Sequence, residues 1–264
     1  MNTSQTISKP MKPYALVTGA SSGIGYEYAK VLAERGYNLI VVSNEDSMTD
    51  RARQISMLYP DIDVVPCVKD LGTQSAAREL YEWVKEQDME VEVLINNAGV
   101  YHFKDFLEDT EAFNTLILNL HMHTLAMLCY YFAKDMLSRH KGYIINMSSI
   151  TSDYGIQRLA TYSSTKGFVR LFSRSLHVEL KAKGVNVTCV RPGAVATPLY
   201  NLNPTLQKIG LTLGFIITPQ RLAKKGVRAM FAGKSSISPG IFTKILGMVA
   251  YIPICVLKPL RRWV

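Results

Sequence analysis

The sequence predicts an α/β fold in which one domain is built on a doubly wound parallel sheet with helices on both faces, followed by an appended C-terminal helical segment. Three observations predict it. Short apolar runs rich in β-branched residues alternate with amphipathic stretches over the first two hundred residues. These runs are continuous in hydrophobicity rather than alternating, as expected of parallel strands covered on both faces. The first run also ends in a glycine-rich turn that leads directly into a helical pattern, the succession of a β-α-β unit.

Taken in order, the strand candidates are YALVTG from residue 14, YNLIVVS from 37, DVVPCVKD from 63, VEVLINNAG from 91, GYIINMSS from 142 and VNVTCVRPG from 185. A helical pattern follows each, and the longest helices are expected over about 109 to 139 and 160 to 183. Beyond Gly193 the rhythm changes, because Pro198, Pro204, Pro219, Pro239, Pro253 and Pro259 interrupt the apolar segments. The expected organisation is a leader over 1–12, a catalytic domain over 13–200, a lid and last core helix over 201–240, and an apolar, basic tail over 241–264. The apolar piece of that tail, residues 245 to 257, is shorter than the roughly 20 residues needed to span a bilayer.

A chain of 264 residues with 48% hydrophobic and 19% charged side chains can bury one large core. Its net charge of +9 is unevenly placed: residues 201–264 hold ten Lys or Arg and no acid, and the rest nearly cancels. With no nucleic-acid-reading motif, that asymmetry points to an anionic membrane surface rather than nucleic acid. The leader lacks the apolar core of a secretory signal, and Cys67, Cys129, Cys189 and Cys255 lack metal-type spacing. The expectation is a cytoplasmic protein with reduced thiols and no metal, with peripheral contact to the cytoplasmic membrane face left open.

The turn TGASSGIG, residues 18 to 25, places Gly19, Gly23 and Gly25 where the backbone must bend sharply and approach a pyrophosphate at a helix N-terminus. This Rossmann-like turn predicts a dinucleotide. At the end of the second strand an acid would bind the ribose of NAD(H), but here stand Ser43 and Asn44. Neutral donors permit a 2′-phosphate, so NADP(H) is weakly favoured over NAD(H).

With TGASSGIG, NNAG at 96–99, Asn119, Ser149, Tyr162 and Lys166 in that order, the chain resembles the short-chain dehydrogenase/reductase family in its single-domain form. The resemblance covers residues 13 to about 200. It implies that Gly19, Ser21, Ser22, Gly23, Ile24 and Gly25 hold the pyrophosphate side, that Asp70 and Leu71 meet the adenine, and that Asn97, Ala98 and Gly99 lie under the adenosine ribose. It also matches Pro192, Gly193, Val195 and Thr197 to the loop that receives the nicotinamide carboxamide.

Carbonyl reduction needs a fixed hydride donor, a group that polarises the oxygen and an acid that protonates it. A tyrosine alone, with a pKa of about 10, exchanges its proton poorly. Lys166, four residues after Tyr162 on a helix, shares its face and favours the phenolate. Tyr162 is therefore the expected acid/base and Lys166 its modulator and a ribose ligand. Ser149 is the expected oxygen-stabilising donor, and Asn119 the holder of a relay water.

Tyr154 is the weaker candidate, having Arg158 rather than Lys four residues on. Ser148 competes with Ser149, and the spacing to Tyr162 in similar proteins picks Ser149. His121 and His123 are expected to pack or face solvent, since residues two apart on a helix do not converge on a metal. Arg170 and Arg174 read as a solvated edge of their helix. Tyr101 and His102 either line the pocket or form a surface loop, and Tyr130 and Tyr131 pack either the core or a dimer contact.

Apolar lid residues Leu199, Leu202, Leu211, Leu213, Phe215 and Ile216 predict a hydrophobic ketone. The leading class is a long-chain 3-keto lipid, 3-ketosphinganine-like or 3-oxoacyl, with a steroid ketone as the alternative. The tail, ending in Pro-Leu-Arg-Arg-Trp-Val, suits either a membrane surface or a cover over the pocket. A homodimer or a monomer is expected. The alternative of another class is a non-catalytic dinucleotide-binding redox sensor, whose mark would be loss of Tyr162 or Lys166. A sugar epimerase would need a larger substrate domain.

Overall fold

Each of the six apolar runs forms a strand: β1 (Tyr14–Thr18), β2 (Asn38–Ser43), β3 (Val64–Val68), β4 (Val91–Asn96), β5 (Gly142–Met147) and β6 (Val185–Val190). A two-residue β7 (Ser236–Ile237) completes a seven-stranded sheet in the order β3-β2-β1-β4-β5-β6-β7. Every pairing is parallel. The computed structural model describes residues 12–196 and 216–240. The expectations for the leader, for Thr197 and the lid through Phe215, for Cys255 and for the tail lie outside those residues.

Parallel strands need crossovers, and helices supply them. They are α1 (Gly23–Ala33), α2 (Met48–Leu58), α3 (Ala76–Glu86), α4 (Glu111–Leu118), α5 (Leu125–Ser138), α6 (Ala160–Lys181) and α7 (Pro219–Phe231). Two starts are chemically marked. The Thr110 hydroxyl accepts from the Phe113 amide at the head of α4, and Thr218 caps α7 with Pro219 in its first turn.

The sheet is buried on both faces because alternate strand residues enter different clusters. Ala15, Val17, Leu39, Val41, Val93 and Ile95 pack with α1, α2 and α7. Leu16, Ile40, Val42, Leu94 and Ile144 pack with α3, α5 and α6. Pro66 falls inside β3, an edge strand, where a missing amide breaks no interior ladder.

The stretch read as one helix over 109–139 departs from that expectation in its middle. A π-helical turn, Asn119–Thr124, separates α4 from α5. By length and composition residues 111–138 could cross a membrane. Leu125, Leu128, Cys129, Phe132 and Met136 are nevertheless buried against the sheet, as a core helix requires. On the outer side Leu118 and Tyr130 are exposed, as are Leu171 and Val178 on α6. Tyr131 instead stacks on Tyr81.

The strand order reverses direction between β1 and β4. In a doubly wound sheet the crevice beyond the C-terminal strand ends at this switch point receives the ligand.

Candidate active site

At the switch point the turn after β1 is tied to the turn after β4. The Thr18 hydroxyl accepts from the Asn97 and Ala98 amides at 3.0 Å each and donates to the Ile95 carbonyl. The Asn97 side chain returns bonds to the Thr18 and Gly19 carbonyls at 3.0 and 3.1 Å. Gly19 has a φ of 63°, in the left-handed region. A Cβ on Gly25 would lie 2.0 Å from the Gly19 carbonyl oxygen, so the loop closes onto α1 only with glycine there. Ser22 precedes α1 without capping it by its side chain, which leaves the first-turn amides for an anion. The cradle fits a dinucleotide pyrophosphate.

The other predicted cofactor residues surround this cradle. Ser43 is buried, and its hydroxyl donates to that of Ser21 at 3.1 Å and accepts from the Glu45 amide. Asn44 is exposed beside it. Asp70 accepts from the Gly72 amide, and the Leu71 carbonyl accepts from the hydroxyl of Thr124, the last residue of the π turn. Pro192 accepts from the Ile150 amide at 3.0 Å. Val195 is buried and bridges to Ile217, so Pro192 to Val195 run next to the turn that carries Ser149.

Tyr162 and Lys166 are one turn apart on α6, each 6% exposed, with the Lys166 Nζ 5.6 Å from the Tyr162 ring centroid. Lys166 donates to the Met147 carbonyl at 3.0 Å. Burial pulls its ammonium down to about 8. Ser148 and Ser149 lie just past the end of β5 and part company as expected. Ser148 donates inward to the Lys166 carbonyl at 2.8 Å. Ser149 heads a 3-10 turn (Ile150–Asp153), and its hydroxyl accepts from the Thr151 amide at 3.2 Å, which leaves its own proton for an outward acceptor. Asn119 is half-buried at the first position of the π turn, which packs on α6.

The two histidines pack or face solvent as expected, and the structure adds their partners. His123 is exposed, within 3.1 Å of the Gln74 carbonyl. His121 is buried, and both of its ring nitrogens are bonded: Nε2 to the Val100 amide at 3.0 Å and Nδ1 to Thr165 at 3.1 Å. The Tyr101 ring stands edge-on to Tyr162 at 5.2 Å, and His102 stacks on Phe113 and lines the crevice beside Tyr162.

Arg170 is not a solvated edge. It pairs with Asp153 at 2.5 Å, and Arg191 pairs with the same carboxylate; Arg174 is exposed. Tyr154 ends the 3-10 turn and lies off α6. A narrow crevice beside Tyr162 is lined by Phe106, Phe113, Ile117, Leu159 and Ala160 and by the polar His102, Lys104, Asp109, Asn114, Arg158 and Thr161. Arg158 holds a left-handed φ of 66° with its guanidinium over Phe103.

The family model for short chain dehydrogenase matches residues 13–206. The chain belongs to the short chain dehydrogenase family. It is 31% identical over 210 residues to a very-long-chain 3-oxoacyl-CoA reductase-A of Danio rerio, covering 76% of this chain and 64% of that one. It is 33% identical over 203 residues to a very-long-chain 3-oxoacyl-CoA reductase of Anas platyrhynchos, covering 74% and 64%. The chain thus spans just under two thirds of the length of these relatives. Among solved structures, the bulky-bulky ketone specific alcohol dehydrogenase of Comamonas testosteroni is 27% identical, with a TM-score of 0.75 over 86% of each chain. In this short chain dehydrogenase the glycine turn follows the end of β1, and Lys166, one turn from Tyr162, bonds to Met147 at the end of β5.

Proposed function

We propose that the protein reduces the ketone of a long-chain 3-oxoacyl lipid to a secondary alcohol, with NADP(H) preferred to NAD(H). One observation carries the reading: a buried lysine ammonium sits 5.6 Å from the ring centroid of a buried tyrosine. The names of the relatives support the substrate class. The crevice beside Tyr162 offers Phe106, Phe113, Ile117 and Leu159 to an apolar chain and His102, Lys104 and Arg158 to a polar end.

A nicotinamide dinucleotide, when bound, supplies the hydride. Gly19, Ser21, Ser22, Gly23, Ile24 and Gly25 hold its pyrophosphate, Ser43 and Asn44 its adenosine ribose phosphate, and Asn97 to Gly99 its ribose. Ser149 donates to the substrate oxygen and stabilises charge growing there. Tyr162 gives its phenolic proton to that oxygen, and Lys166 makes the phenolate easier to form. Asn119 holds the water through which the proton is replaced.

The test is cofactor consumption by wild type and Tyr162→Phe against 3-oxoacyl thioesters of graded chain length, steroid ketones and small polar ketones. Turnover rising with chain length and falling roughly 100- to 10,000-fold in Tyr162→Phe is expected. Full activity in Tyr162→Phe overturns the catalytic assignment; turnover of small polar ketones alone overturns the substrate class.

A further inference from the structure

The imidazole of His121 is 1% exposed and takes no direct part in the chemistry above. Burying such a group is costly unless both nitrogens are bonded. Here both are, and the pattern fixes the ring's state. The Val100 amide must donate, so Nε2 is bare. Thr165 has already given its hydroxyl proton to the Tyr162 carbonyl at 2.8 Å, so Nδ1 carries the hydrogen and donates to Thr165. His121 is therefore neutral, in agreement with burial and the nearby Lys166 both holding it well below the usual histidine range.

A relay of bonds results. It runs from the strand turn that carries the ribose-binding residues, through His121 and Thr165, to the backbone of Tyr162. The histidine ring also lies edge-on to the Tyr162 ring at 5.9 Å. On another side of the phenol stands Tyr101, the residue following Val100, edge-on at 5.2 Å. By holding the Val100 amide, His121 sets the backbone from which Tyr101 projects. It thereby fixes two of the rings that pack against Tyr162.

We propose that His121 is a positioning residue for Tyr162, tying the ribose-side turn after β4 to the catalytic helix through the Val100 amide. This rests on Tyr162 being the acid/base. The reason for histidine is that one rigid side chain both accepts from Val100 at one ring nitrogen and donates to Thr165 at the other. A small misplacement of a catalytic group costs turnover far more than it costs binding.

The two nitrogens can be separated by substitution. Glutamine's amide oxygen reaches the place of Nε2 and keeps the acceptor for Val100. Asparagine reaches only the place of Nδ1 and loses it, and leucine loses both. The expected order of kcat is wild type, then His121→Gln within about threefold, then His121→Asn and His121→Leu roughly tenfold or more below wild type. KM for the ketone should stay within about twofold. Hydrogen exchange of the Val100 amide, read without cofactor, should remain slow in wild type and His121→Gln and become at least tenfold faster in His121→Asn.

A kcat in His121→Asn within twofold of wild type, or no advantage of glutamine over asparagine, overturns the proposal. If His121→Leu does not fold, His121→Asn and Thr165→Val, which cuts the second half of the relay, decide it by the same criteria. An inactive Tyr162→Phe beside an unaffected His121→Asn removes only the positioning role. A fully active Tyr162→Phe removes the catalytic reading itself.

Discussion

Lys166 brings a charge into a place almost without water, and that has a measurable consequence for stability. Burial lowers its ammonium from 10.5 to about 8, an effect only partly opposed by the nearby Cys189 thiol. Between about pH 8 and 10.5 the unfolded chain holds a proton at this site that the folded protein has released. The lysine's own contribution to stability therefore rises with pH across that window, and below pH 8 the charged lysine costs the fold its full penalty. Lys166→Met should be inactive yet more stable than wild type at pH 7 by about 2 kcal/mol. Each pH unit between the folded and unfolded titrations of the lysine is worth about 1.36 kcal/mol, and the donor lost by the Met147 carbonyl takes back about 1 kcal/mol. The gap should close toward pH 10. Urea midpoints of both proteins at pH 7 and 10 check this, and a gap that does not change with pH would contradict it. The Tyr162 and Lys166 pair was legible because a four-residue spacing on a helix dictates a shared face. His121 was not, because its meaning depends on an amide twenty-one positions away, which no local pattern announces.

At the scale of elements, the strands were readable from continuous apolar runs, whereas the joints between elements were not. Apolar periodicity continues on both sides of the π turn, so nothing in the residue pattern reports the widened turn at Asn119–Thr124. Such turns recur at functional sites, and here one turn holds Asn119, His121 and the Thr124 hydroxyl that fixes Leu71. Asp153 is a second hidden joint. It lies on the 3-10 turn behind Ser149 and pairs with Arg170, one turn beyond Lys166 on α6, and with Arg191, next to Pro192. One carboxylate thus ties the Ser149 turn, the catalytic helix and the strand that enters the Pro192 loop. Asp153→Asn leaves two guanidinium groups facing each other with their carboxylate gone. Removing one partner of a buried ion pair costs about 3 to 5 kcal/mol, and the partial exposure of both arginines reduces this to about 2 to 3 kcal/mol. Chemical denaturation should show that loss, and Asp153→Asn combined with Arg170→Met should recover part of it. An unchanged midpoint in Asp153→Asn would show that the three segments are held by packing alone.

At the scale of the whole molecule, the glycine cradle after β1, the Ser43 corner at the end of β2 and the start of α6 after β5 all lie on the C-terminal side of the sheet, so a dinucleotide bound as proposed would touch three separate crossovers at once. A ligand gripped this way binds the folded chain and has nothing equivalent to bind in the unfolded one. Its effect is then a mass-action gain in stability, about 2.7 kcal/mol at a hundred times its dissociation constant. For a domain of this size that corresponds to a rise of about 5 to 10 °C in Tm. Ser43 and Asn44 carry no charge to repel a 2′-phosphate, and the hydroxyls of Ser43 and Ser21 meet at the same corner. NADPH should therefore raise Tm more than NADH at equal concentration. Asn44 is exposed, so Asn44→Asp adds a negative charge there without disturbing the core. If Ser43 and Asn44 hold a 2′-phosphate as proposed, the added charge would repel it, because like charges in contact repel even through water. The NADPH-induced rise should fall by at least half in Asn44→Asp, while the rise with NADH stays the same or grows. Thermal unfolding with each nucleotide, in both proteins and without any ketone, measures this directly. Equal rises with the two nucleotides, unaffected by Asn44→Asp, would mean that the corner at the end of β2 does not read the phosphate.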